Sequence, residues 1–314
     1  MFVSVVLPVY NEEKYIDSCI RSLISQTYDR NQMEWIIVDG NSTDKTRSII
    51  QSYLNQYPIT LLTNERRITP VSMNMGIKAS KGDVIVRFDA HAVFPSDYIE
   101  KCVACISSTD ADNVGGWIET KAEGFVGKAI AKVLSSKFGV GGSSFRTERK
   151  SGYVDTVPFG AFKRSAFSKV GLFDETLIRS EDNDINARII NSGGKVYLSS
   201  DIHSVYYCRN TVSGLLNQAI LNGNALFRTM KVNPKAMSKR HFIPFFFFLS
   251  LCVLPFVCPL LLYAELAAYL LLDLYFSFVE RERKLGFVTI WLYPLYHITY
   301  GLGSFLGLLG IKLY

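Results

Sequence analysis

Two short stretches of this 314-residue chain combine side chains that could do chemistry. In "RFDAHA", Asp89 ends an apolar run and stands two residues before His91. A carboxylate and an imidazole at that spacing could hold a divalent metal ion, or could simply begin an ordinary loop. In "SEDNDINARI", Glu181 and Asp182 stand together where a helix is predicted to begin. The helix dipole favours acidic side chains there, and such a position also holds a carboxylate well.

Polar residues follow three predicted strands: "VSVVL" (3–7), "WIIV" (35–38) and "DVIVRF" (83–88). Strands that alternate with helical segments predict an α/β fold with a parallel, doubly wound sheet. In such sheets the ligand lies beyond the carboxyl ends of the strands, at the switch point. We therefore expect one site at this edge, formed by the polar residues of the three loops: Asn11, Glu12, Asp39, Asn41, Asp44, Asp89 and His91.

The apolar periodicity predicts further elements along the chain. We expect helices near residues 16–24, 49–57, 70–79, 98–106, 181–192 and 211–230, and strands near 59–62, 153–162 and 195–200.

Residues 242–264 and 285–311 contain no Asp, Glu, Lys or Arg. Both stretches exceed the roughly 20 apolar residues that cross a bilayer. Between them, residues 265–279 are apolar but include Glu265 and Asp273, which suits the return arm of a hairpin or an interfacial helix. Buried helices of a soluble domain are rarely free of charge for so long, so membrane association is predicted.

The N-terminal "MFVSVVLPVYNEE" has neither a basic leader nor a small-residue cleavage site, so we expect no signal peptide and a cytosolic first domain. A basic cluster precedes the first apolar stretch, and the positive-inside rule places it on the cytoplasmic side. Residues 242–279 are then expected to form a hairpin or paired short helices, with the charged run 280–284 on the same side. The predicted organisation is a cytosolic domain (1–230), a basic linker (231–241) and a membrane region (242–314).

The composition sets broad limits on the function. With 48% apolar residues the chain is unlike a disordered protein, and its net charge of +6 suits anionic lipid or phosphorylated substrates. Cys102 and Cys105 form a CxxC in a helical stretch without a second pair at zinc spacing, so we expect them to be packed. No nucleic-acid partner is expected, and the sequence leaves the oligomeric state open.

Several motifs, taken in order, resemble those of the family 2 glycosyltransferases of the GT-A fold: "PVYNEE", "IIVDGNSTDKT", "RFDAHA", "GAFKRSAFSKVGLFDE" and "SEDNDINARI". The resemblance covers about residues 3–230. It is greatest to the membrane-bound bacterial enzymes that build exopolysaccharide, of the succinoglycan glucosyltransferase type, and "HITYGLGSFLG" is similar to the end of that subgroup. It implies a GT-A fold followed by C-terminal transmembrane helices.

The resemblance also implies residues for a UDP-sugar donor. Asp39 would hydrogen-bond the uracil, while Pro8, Tyr10 and Glu12 would line the pocket for the base and ribose. The alternative for Asp39 is an ordinary turn or cap residue. Asp89 would anchor a divalent metal, Mn²⁺ or Mg²⁺, that neutralises the leaving diphosphate.

One position departs from the family pattern, which usually has two aspartates flanking one residue. Here the second is His91, which either binds the metal, favouring Mn²⁺ over Mg²⁺, or donates a hydrogen bond to the diphosphate. The succinoglycan-type subgroup shares this variant, so the histidine is compatible with an active enzyme.

The later motifs imply a base and a diphosphate-binding helix. Asp182, with Glu181 beside it, would take the proton from the acceptor hydroxyl in an inverting transfer. Arg209, Gln218 and Arg228 occupy the place where relatives put a helix over the diphosphate, although Arg228 suits a juxtamembrane charge equally well. The QxxRW motif of processive synthases is absent from the sequence, which favours transfer of a single sugar.

The resemblance therefore implies an inverting glycosyltransferase that moves one sugar from a UDP-sugar to a lipid-linked (polyprenyl diphosphate) saccharide acceptor, in exopolysaccharide or capsule biosynthesis. It would act at the inner (plasma) membrane with its catalytic domain in the cytoplasm. One alternative is a polyprenyl-phosphate sugar synthase, and another is a non-catalytic membrane scaffold or receptor. The presence of Asp39, Asp89 and Asp182 counts against the scaffold.

Overall fold

The computed structural model describes residues 1–279 and 282–313. Contacts divide the chain into two compact units. The first unit consists of Met1–Glu119 and Arg149–Tyr206, and the second of Thr120–Glu148 and Tyr207–Tyr314. The expected domain boundaries, at residues 230 and 241, stay a prediction.

The described residues contain nine strands in one sheet. They are β1 (Val3–Val9), β2 (Met33–Asp39), β3 (Ile59–Thr63), β4 (Val84–Arg87), β5 (Ala92–Val93), β6 (Asn113–Lys121), β7 (Gly152–Tyr153), β8 (Ala161–Lys163) and β9 (Val196–Tyr207). The helices up to residue 191 are α1 (Ile16–Ile24), α2 (Thr46–Gln51), α3 (Thr69–Ala79), α4 (Tyr98–Ser108), α5 (Gly124–Ser135), α6 (Lys137–Val140), α7 (Ser144–Thr147), α8 (Arg164–Val170) and α9 (Glu181–Asn191). The helices that follow β9 are α10 (Val212–Val232), α11 (Ile243–Val257), α12 (Pro259–Leu274) and α13 (Gly286–Leu308).

The sheet order is β3-β2-β1-β4-β8-β6-β9-β5, with β7 also paired to β9. The first four strands are parallel, and β1 pairs with β2 on one side and β4 on the other. The chain therefore changes direction across the sheet between β1 and β4, which is the switch point that the sequence predicted. Beyond β4 the described pairs are antiparallel, so the sheet as a whole is mixed.

The parallel half forms because its strands are nearly continuous apolar runs. Val5, Trp35 and Ile85 are fully buried, as expected for strands covered by helices on both faces. The predicted strands and helices of residues 1–110 are all present, but the helix expected at 49–57 lies earlier, at Thr46–Gln51, and is followed by turns. Cys102 is fully buried in α4, so its predicted packing is confirmed.

The predicted strand 153–162 is instead two short strands with different partners. β7 pairs with β9, whereas β8 pairs with β4 and β6. Pro158 and Phe159 separate them, and Phe159 has a φ of 47°. A proline lacks the N–H that a sheet ladder needs, and a positive φ is incompatible with a strand, so the run cannot continue.

In the second unit, α13 packs one face along α10 at very short distances. A Cβ on Gly223 would lie 2.0 Å from the carbonyl oxygen of Tyr300, and one on Gly303 would lie 2.1 Å from that of Ile220. Only glycine lets the two backbones approach so closely. The opposite face of α13 is exposed and apolar, with Phe287 and Trp291 each more than 70% exposed.

Two stretches of the described residues are long and apolar enough to cross a membrane, Lys239–Val257 and Pro259–Val279. They contain α11 and α12, which pair side by side. The Ser250 hydroxyl donates to Oε1 of Glu265 at 2.7 Å, and the rings of Phe247 and Tyr269 stack at 4.6 Å. The predicted pair of short helices is therefore present. Of the charged run 280–284, residues 280 and 281 lie outside the described residues.

Candidate active site

The loops after β1 and β2 hold each other through reciprocal hydrogen bonds. The N–H of Asn11 donates to Oγ of Ser42 at 3.0 Å, and the N–H of Thr43 donates to Oδ1 of Asn11 at 2.9 Å. The N–H of Glu12 donates to Oγ1 of Thr46 at 2.7 Å. The polar residues of these two motifs thus shape the loops, and their spacing follows from the pairing of β1 with β2.

Asp39, the predicted base-binding residue, is fully buried at the end of β2. Its Oδ1 accepts from the N–H and hydroxyl of Ser42 at 3.1 and 2.6 Å, and its Oδ2 accepts from Nη1 of Arg47 at 3.0 Å. Asp39 therefore stabilises the turn that follows β2, as the alternative interpretation predicted. Its side chain is fully buried by these contacts and is not among the residues that line the cavity at the ends of β1 and β4, so its contact with a nucleobase stays a prediction.

A cavity of about 220 Å³ opens at the carboxyl ends of β1 and β4. Of the residues predicted to contact the donor or metal, five line it: Pro8, Tyr10, Glu12, Asp89 and His91. It is also lined by Val9, Gly40, Arg67, Thr69, Ser72, Arg87 and Ala90. The cavity therefore lies at the switch point of the sheet, where nucleotides bind in doubly wound folds.

Arg87, at the end of β4, joins three carboxylates. Its Nε and Nη2 donate to the two oxygens of Asp89 at 2.9 and 3.3 Å. Its Nη1 donates to Glu181 at 3.1 Å and to Asp182 at 2.7 Å. Only 7% of the Arg87 side chain is exposed. One buried cation therefore brings the predicted metal ligand and the predicted base together.

The pKa values of Asp182 and Asp89 in this cluster are shifted in opposite directions. Burial raises the pKa of Asp182 to about 7; Arg87 opposes this effect, while Glu181 and Asp89 add to it. Burial also acts to raise the pKa of Asp89, but Arg87 and His91 outweigh it and the pKa lies below its ordinary value. Near neutral pH, Asp89 is thus ionised while Asp182 is poised to accept a proton.

Helix α9 presents Glu181 and Asp182 in its first turn, directly after Ser180, which has a φ of 66°. This sharp entry starts the helix at the cluster, so the helix-dipole and functional interpretations are compatible. The next acid, Asp184, is different, because Nε and Nη2 of Arg188 lie 2.9 and 2.8 Å from its Oδ2. Arg188 also donates to the carbonyl oxygens of residues 170 and 172, at the end of α8. Asp184 therefore orients Arg188, which stabilises the loop after α8.

The residues present fit a divalent metal bound by two side chains. Asp89 and His91 line the same cavity, and His91 Nδ1 lies 3.2 Å from Oε1 of Glu12. A carboxylate on one ring nitrogen is the usual support for a metal-binding histidine, which would then ligate through Nε2. No cluster of three or more such ligands occurs in the described part of the chain. Oxygens of the donor and water would have to complete the coordination.

Three further residues predicted to bind the diphosphate, in and just before α10, belong to the second unit. Arg209 is exposed and precedes α10, whereas Gln218 and Arg228 lie within α10 and are partly buried. Oε1 of Gln218 is buried and accepts no hydrogen bond from the described residues. Their contact with a diphosphate stays a prediction.

Two arginines of the cavity were missed as site residues. Arg87 is a charge inside an otherwise apolar strand, and a buried charge needs a buried partner. Arg67 follows β3, at the same sheet edge as the other loops, with its guanidinium 5.5 Å from the Tyr10 ring. Polar residues that follow β1, β2 and β4 were selected as site candidates, and the same criterion applied to β3 would have identified Arg67. Arg87 would have been identified by asking which acidic residues pair with a charge inside an apolar strand.

A family model described as glycosyl transferase family 2 matches residues 4–171. The chain is 30% identical to the dolichyl N-acetyl-alpha-D-glucosaminyl phosphate 3-beta-D-2,3-diacetamido-2,3-dideoxy-beta-D-glucuronosyltransferase of Methanococcus voltae, over 98% of this chain and 97% of that protein. It is also 30% identical to the succinoglycan biosynthesis protein ExoA of Rhizobium meliloti, over 65% of this chain and 63% of that protein. The match to ExoA thus leaves more than a third of that protein uncovered.

Two solved structures share the fold. The mannosyltransferase PcManGT of Pyrobaculum calidifontis, in complex with GDP-Man and Mn²⁺, has a TM-score of 0.66 at 18% identity, over 99% of this chain and 88% of that one. TarS 1–349 of S. aureus, in complex with UDP-GlcNAc, has a TM-score of 0.52 at 17% identity, over 100% of this chain and 93% of that one. The predicted GT-A type of α/β fold is thereby confirmed. Because the family model covers more than half of the chain and a relative matches nearly all of it, this protein belongs to glycosyl transferase family 2 and is a glycosyltransferase.

Proposed function

We propose that the enzyme transfers one sugar, with inversion, from a UDP-sugar to a lipid-linked saccharide at a membrane surface. The observation that carries this proposal is the buried Arg87, which joins Asp89 of the nucleotide cavity to Asp182. The residue proposed to bind the metal of the donor, Asp89, and the residue proposed as the base, Asp182, therefore both bond to Arg87. The scaffold alternative is set aside, because the chain belongs to a family of transferases.

The donor would occupy the cavity at the ends of β1 and β4. Pro8 and Tyr10 line the cavity and would offer an apolar surface to the base and ribose. Asp39 is fully buried, so it would have to be uncovered before it could accept an N–H from uracil. Arg67 is a cation in the cavity lining and would face the negative diphosphate. A structural relative binds UDP-GlcNAc and another binds GDP-Man, so the uracil preference is our inference from Asp39.

Asp182 would act as the base. As the acceptor hydroxyl oxygen attacks the anomeric carbon, Asp182 takes the hydroxyl proton, and the bond from that carbon to the diphosphate breaks on the opposite face. The electron pair leaves with the nucleoside diphosphate. Arg87 holds Oδ1 of Asp182 at 2.7 Å, so Oδ2 would receive the proton. A divalent metal held by Asp89 and His91 would neutralise the charge of the departing diphosphate.

The acceptor is inferred to be a lipid-linked saccharide. The Methanococcus voltae relative is named for transfer to dolichyl N-acetyl-alpha-D-glucosaminyl phosphate, and the Rhizobium relative for succinoglycan biosynthesis. The two long apolar stretches of this chain would place the enzyme where such lipids are found. With a basic cluster ahead of residue 242, made of Lys231, Lys235, Lys239 and Arg240, we place the catalytic unit on the cytoplasmic face of the plasma (inner) membrane.

Transfer by purified enzyme tests the reaction. We expect turnover of at least one UDP-sugar with a polyprenyl-linked saccharide, and a product one sugar longer than the acceptor. Product that carries a single sugar on a lipid monophosphate, made from the bare lipid phosphate, would instead identify a polyprenyl-phosphate sugar synthase. Turnover of GDP-sugars alone would contradict the role given to Asp39.

The metal is tested separately. Excess chelator should abolish transfer, and Mn²⁺ should restore it at least as well as Mg²⁺, because His91 is a nitrogen ligand. His91→Asp should shift the preference toward Mg²⁺, whereas a histidine that only donates to the diphosphate would give a general loss without a shift. Asp89→Asn should weaken metal-dependent binding of UDP, measured by calorimetry. Full activity in chelator would remove the metal from the proposal.

A further inference from the structure

Helices α11 and α12 form an antiparallel hairpin whose turn is entirely apolar. The contacts Ser250 to Glu265 and Phe247 to Tyr269 are centred on residue 258. The turn consists of Val257, Cys258 and Pro259, and the residues around it are among the most exposed in the described chain. Phe256 is 88% exposed and Leu260 is 80% exposed. A surface of this kind is costly in water.

The first arm of the hairpin is short for a complete crossing. Its apolar part, residues 242–257, follows Lys239 and Arg240 and has 16 residues, whereas the second arm, Pro259–Val279, has 21. At 1.5 Å per residue the two are about 24 and 31 Å long, against a hydrocarbon core of about 30 Å. A turn that emerged on the far side would also meet water, yet residues 251–264 have no charged or amide side chain. The turn is therefore suited to the hydrocarbon and not to the far surface.

The backbone at the turn is also suited to a medium without water. The N–H of Cys258 donates to the carbonyl oxygen of Leu254 at 2.9 Å, and the N–H groups of Leu261 and Leu262 donate to that of Cys258 at 3.1 and 3.2 Å. Pro259, at the first position of α12, has no N–H that would need a partner. In lipid every unpaired backbone group costs several kcal/mol, so this bonding is what an inserted turn requires.

The base of the hairpin differs from its turn. Lys235, Lys239 and Arg240 lead into α11, while Arg283 and Lys284 precede α13. Basic residues beside an apolar segment are attracted to anionic lipid headgroups. On α13 the exposed face carries apolar side chains at helical spacing: Phe287, Trp291, Leu295, Ile298 and Leu302. The other face of α13 is covered by α10, so this helix can lie along the membrane surface without a charged side that faces water.

From these observations we propose that α11 and α12 are a re-entrant hairpin, which enters the bilayer from one face and ends within the hydrocarbon core. The second unit is then a monotopic anchor, and residues on both sides of the hairpin stay on one face of the membrane. A helix lying on the surface would have a polar side, whereas α11 has no charged residue and α12 has only Glu265 and Asp273. This inference rests on the membrane attachment proposed above but not on the transfer chemistry.

The depth of the turn can be measured with the full chain in vesicles of phosphatidylethanolamine and phosphatidylglycerol. Cys258 is kept as the only cysteine and labelled with a nitrobenzoxadiazole dye, and Lys235→Cys in a background without the other cysteines provides the surface control. We expect the dye at residue 258 to be quenched most by nitroxides deep in the acyl chains. Dithionite should not reduce it from either side, although it should reduce the control dye.

A second measurement uses a matched pair of lysine variants at exposed leucines of α12. Leu260→Lys, next to the turn, should lower membrane partitioning about tenfold or more, because the charge would lie deep in hydrocarbon. Leu274→Lys, at the end of α12 and closer to the base, should change partitioning less than about twofold, since its side chain reaches the headgroups. Two complete crossings would put both positions near a surface, and the two variants would then behave alike.

Several outcomes would overturn the hairpin. Rapid reduction of the dye at residue 258, with strong quenching by headgroup nitroxides, would show a turn at the far surface. Reduction without any quenching by lipid nitroxides would show a turn in water, and neither reduction nor quenching would show a turn covered by a second copy. Sugar transfer is measured in the same vesicles: an aqueous turn with full transfer rejects only the hairpin, and an inserted turn without transfer to any lipid-linked acceptor rejects only the proposed function.

Discussion

The two units differ in where they place charge and where they place apolar surface. In the first unit Asp39, Arg87 and Glu181 are nearly or fully buried, and each is held by ion pairs or hydrogen bonds. In the second unit large apolar side chains such as Phe256 and Leu260 are the exposed ones. A buried charge must be matched by a partner at a fixed distance, whereas an exposed apolar surface only needs a suitable solvent. The buried charges of the first unit therefore require partners at fixed distances, whereas the exposed apolar surface of the second unit requires only an apolar solvent.

Four predictions test this contrast. The largest effect is expected for the base. Asp182→Asn keeps the shape of the side chain but cannot accept the proton, so transfer should fall by roughly 10² to 10⁴. Binding of UDP, measured by calorimetry with Mn²⁺, should change little because the base meets the acceptor. Glu181→Gln is the matched control and should lose less. Near-normal transfer by Asp182→Asn would show that another carboxylate is the base.

The next effect concerns Arg87 as a positioning residue. A lysine keeps the charge but lacks the planar fork that reaches Asp89 and Asp182 together, so Arg87→Lys should lower kcat by about 10 to 100-fold. Arg188→Lys, which alters the pair with Asp184, is the control and should affect stability more than kcat. If Arg87 only supports the fold, Arg87→Lys will lower the melting temperature and leave kcat of the folded fraction unchanged.

The stability of the second unit should depend on the close backbone packing of α10 against α13. Gly223→Ala places a Cβ 2.0 Å from the carbonyl oxygen of Tyr300, so it should destabilise the protein by about 1 to 3 kcal/mol. Gly152→Ala in the first unit is the control, since no atom lies within 4 Å of the added Cβ. Thermal unfolding in detergent measures both. Equal melting temperatures for the two variants would contradict the close packing of α10 and α13.

The smallest effect is the pH dependence of transfer. Since burial raises the pKa of Asp182 to about 7 and the base must be ionised, kcat/KM should fall as the pH drops through about 7. The fall should be about tenfold between pH 8 and 6. Glu181→Gln removes a neighbouring negative charge, so its midpoint should lie at lower pH. A profile that is flat from pH 8 to 5 would remove Asp182 from the role of base.

The sequence predicted the parallel half of the sheet because its strands are apolar runs that alternate with amphipathic helices. It also placed Glu12, Asp89 and His91 at one edge, since the carboxyl ends of parallel strands meet there, while Pro8 and Tyr10 were predicted only from the family resemblance. Cavity lining confirms that placement, while the chemical roles of these residues stay predictions. The strand predicted at 153–162 was wrong because its two halves pair with different strands.

Only the tertiary structure decided how the catalytic groups are joined. Arg87 and Asp182 are 95 residues apart along the chain, and no local pattern links them. Their contact depends on where α9 begins relative to β4, which is set by the packing of the whole sheet. The sequence likewise predicted a hairpin or paired short helices over residues 242–279, but it placed the start of the second arm at residue 265, whereas the turn lies at residue 258 and α12 begins at Pro259. Periodicity reports which face of an element is buried, and only packing determines which element covers it.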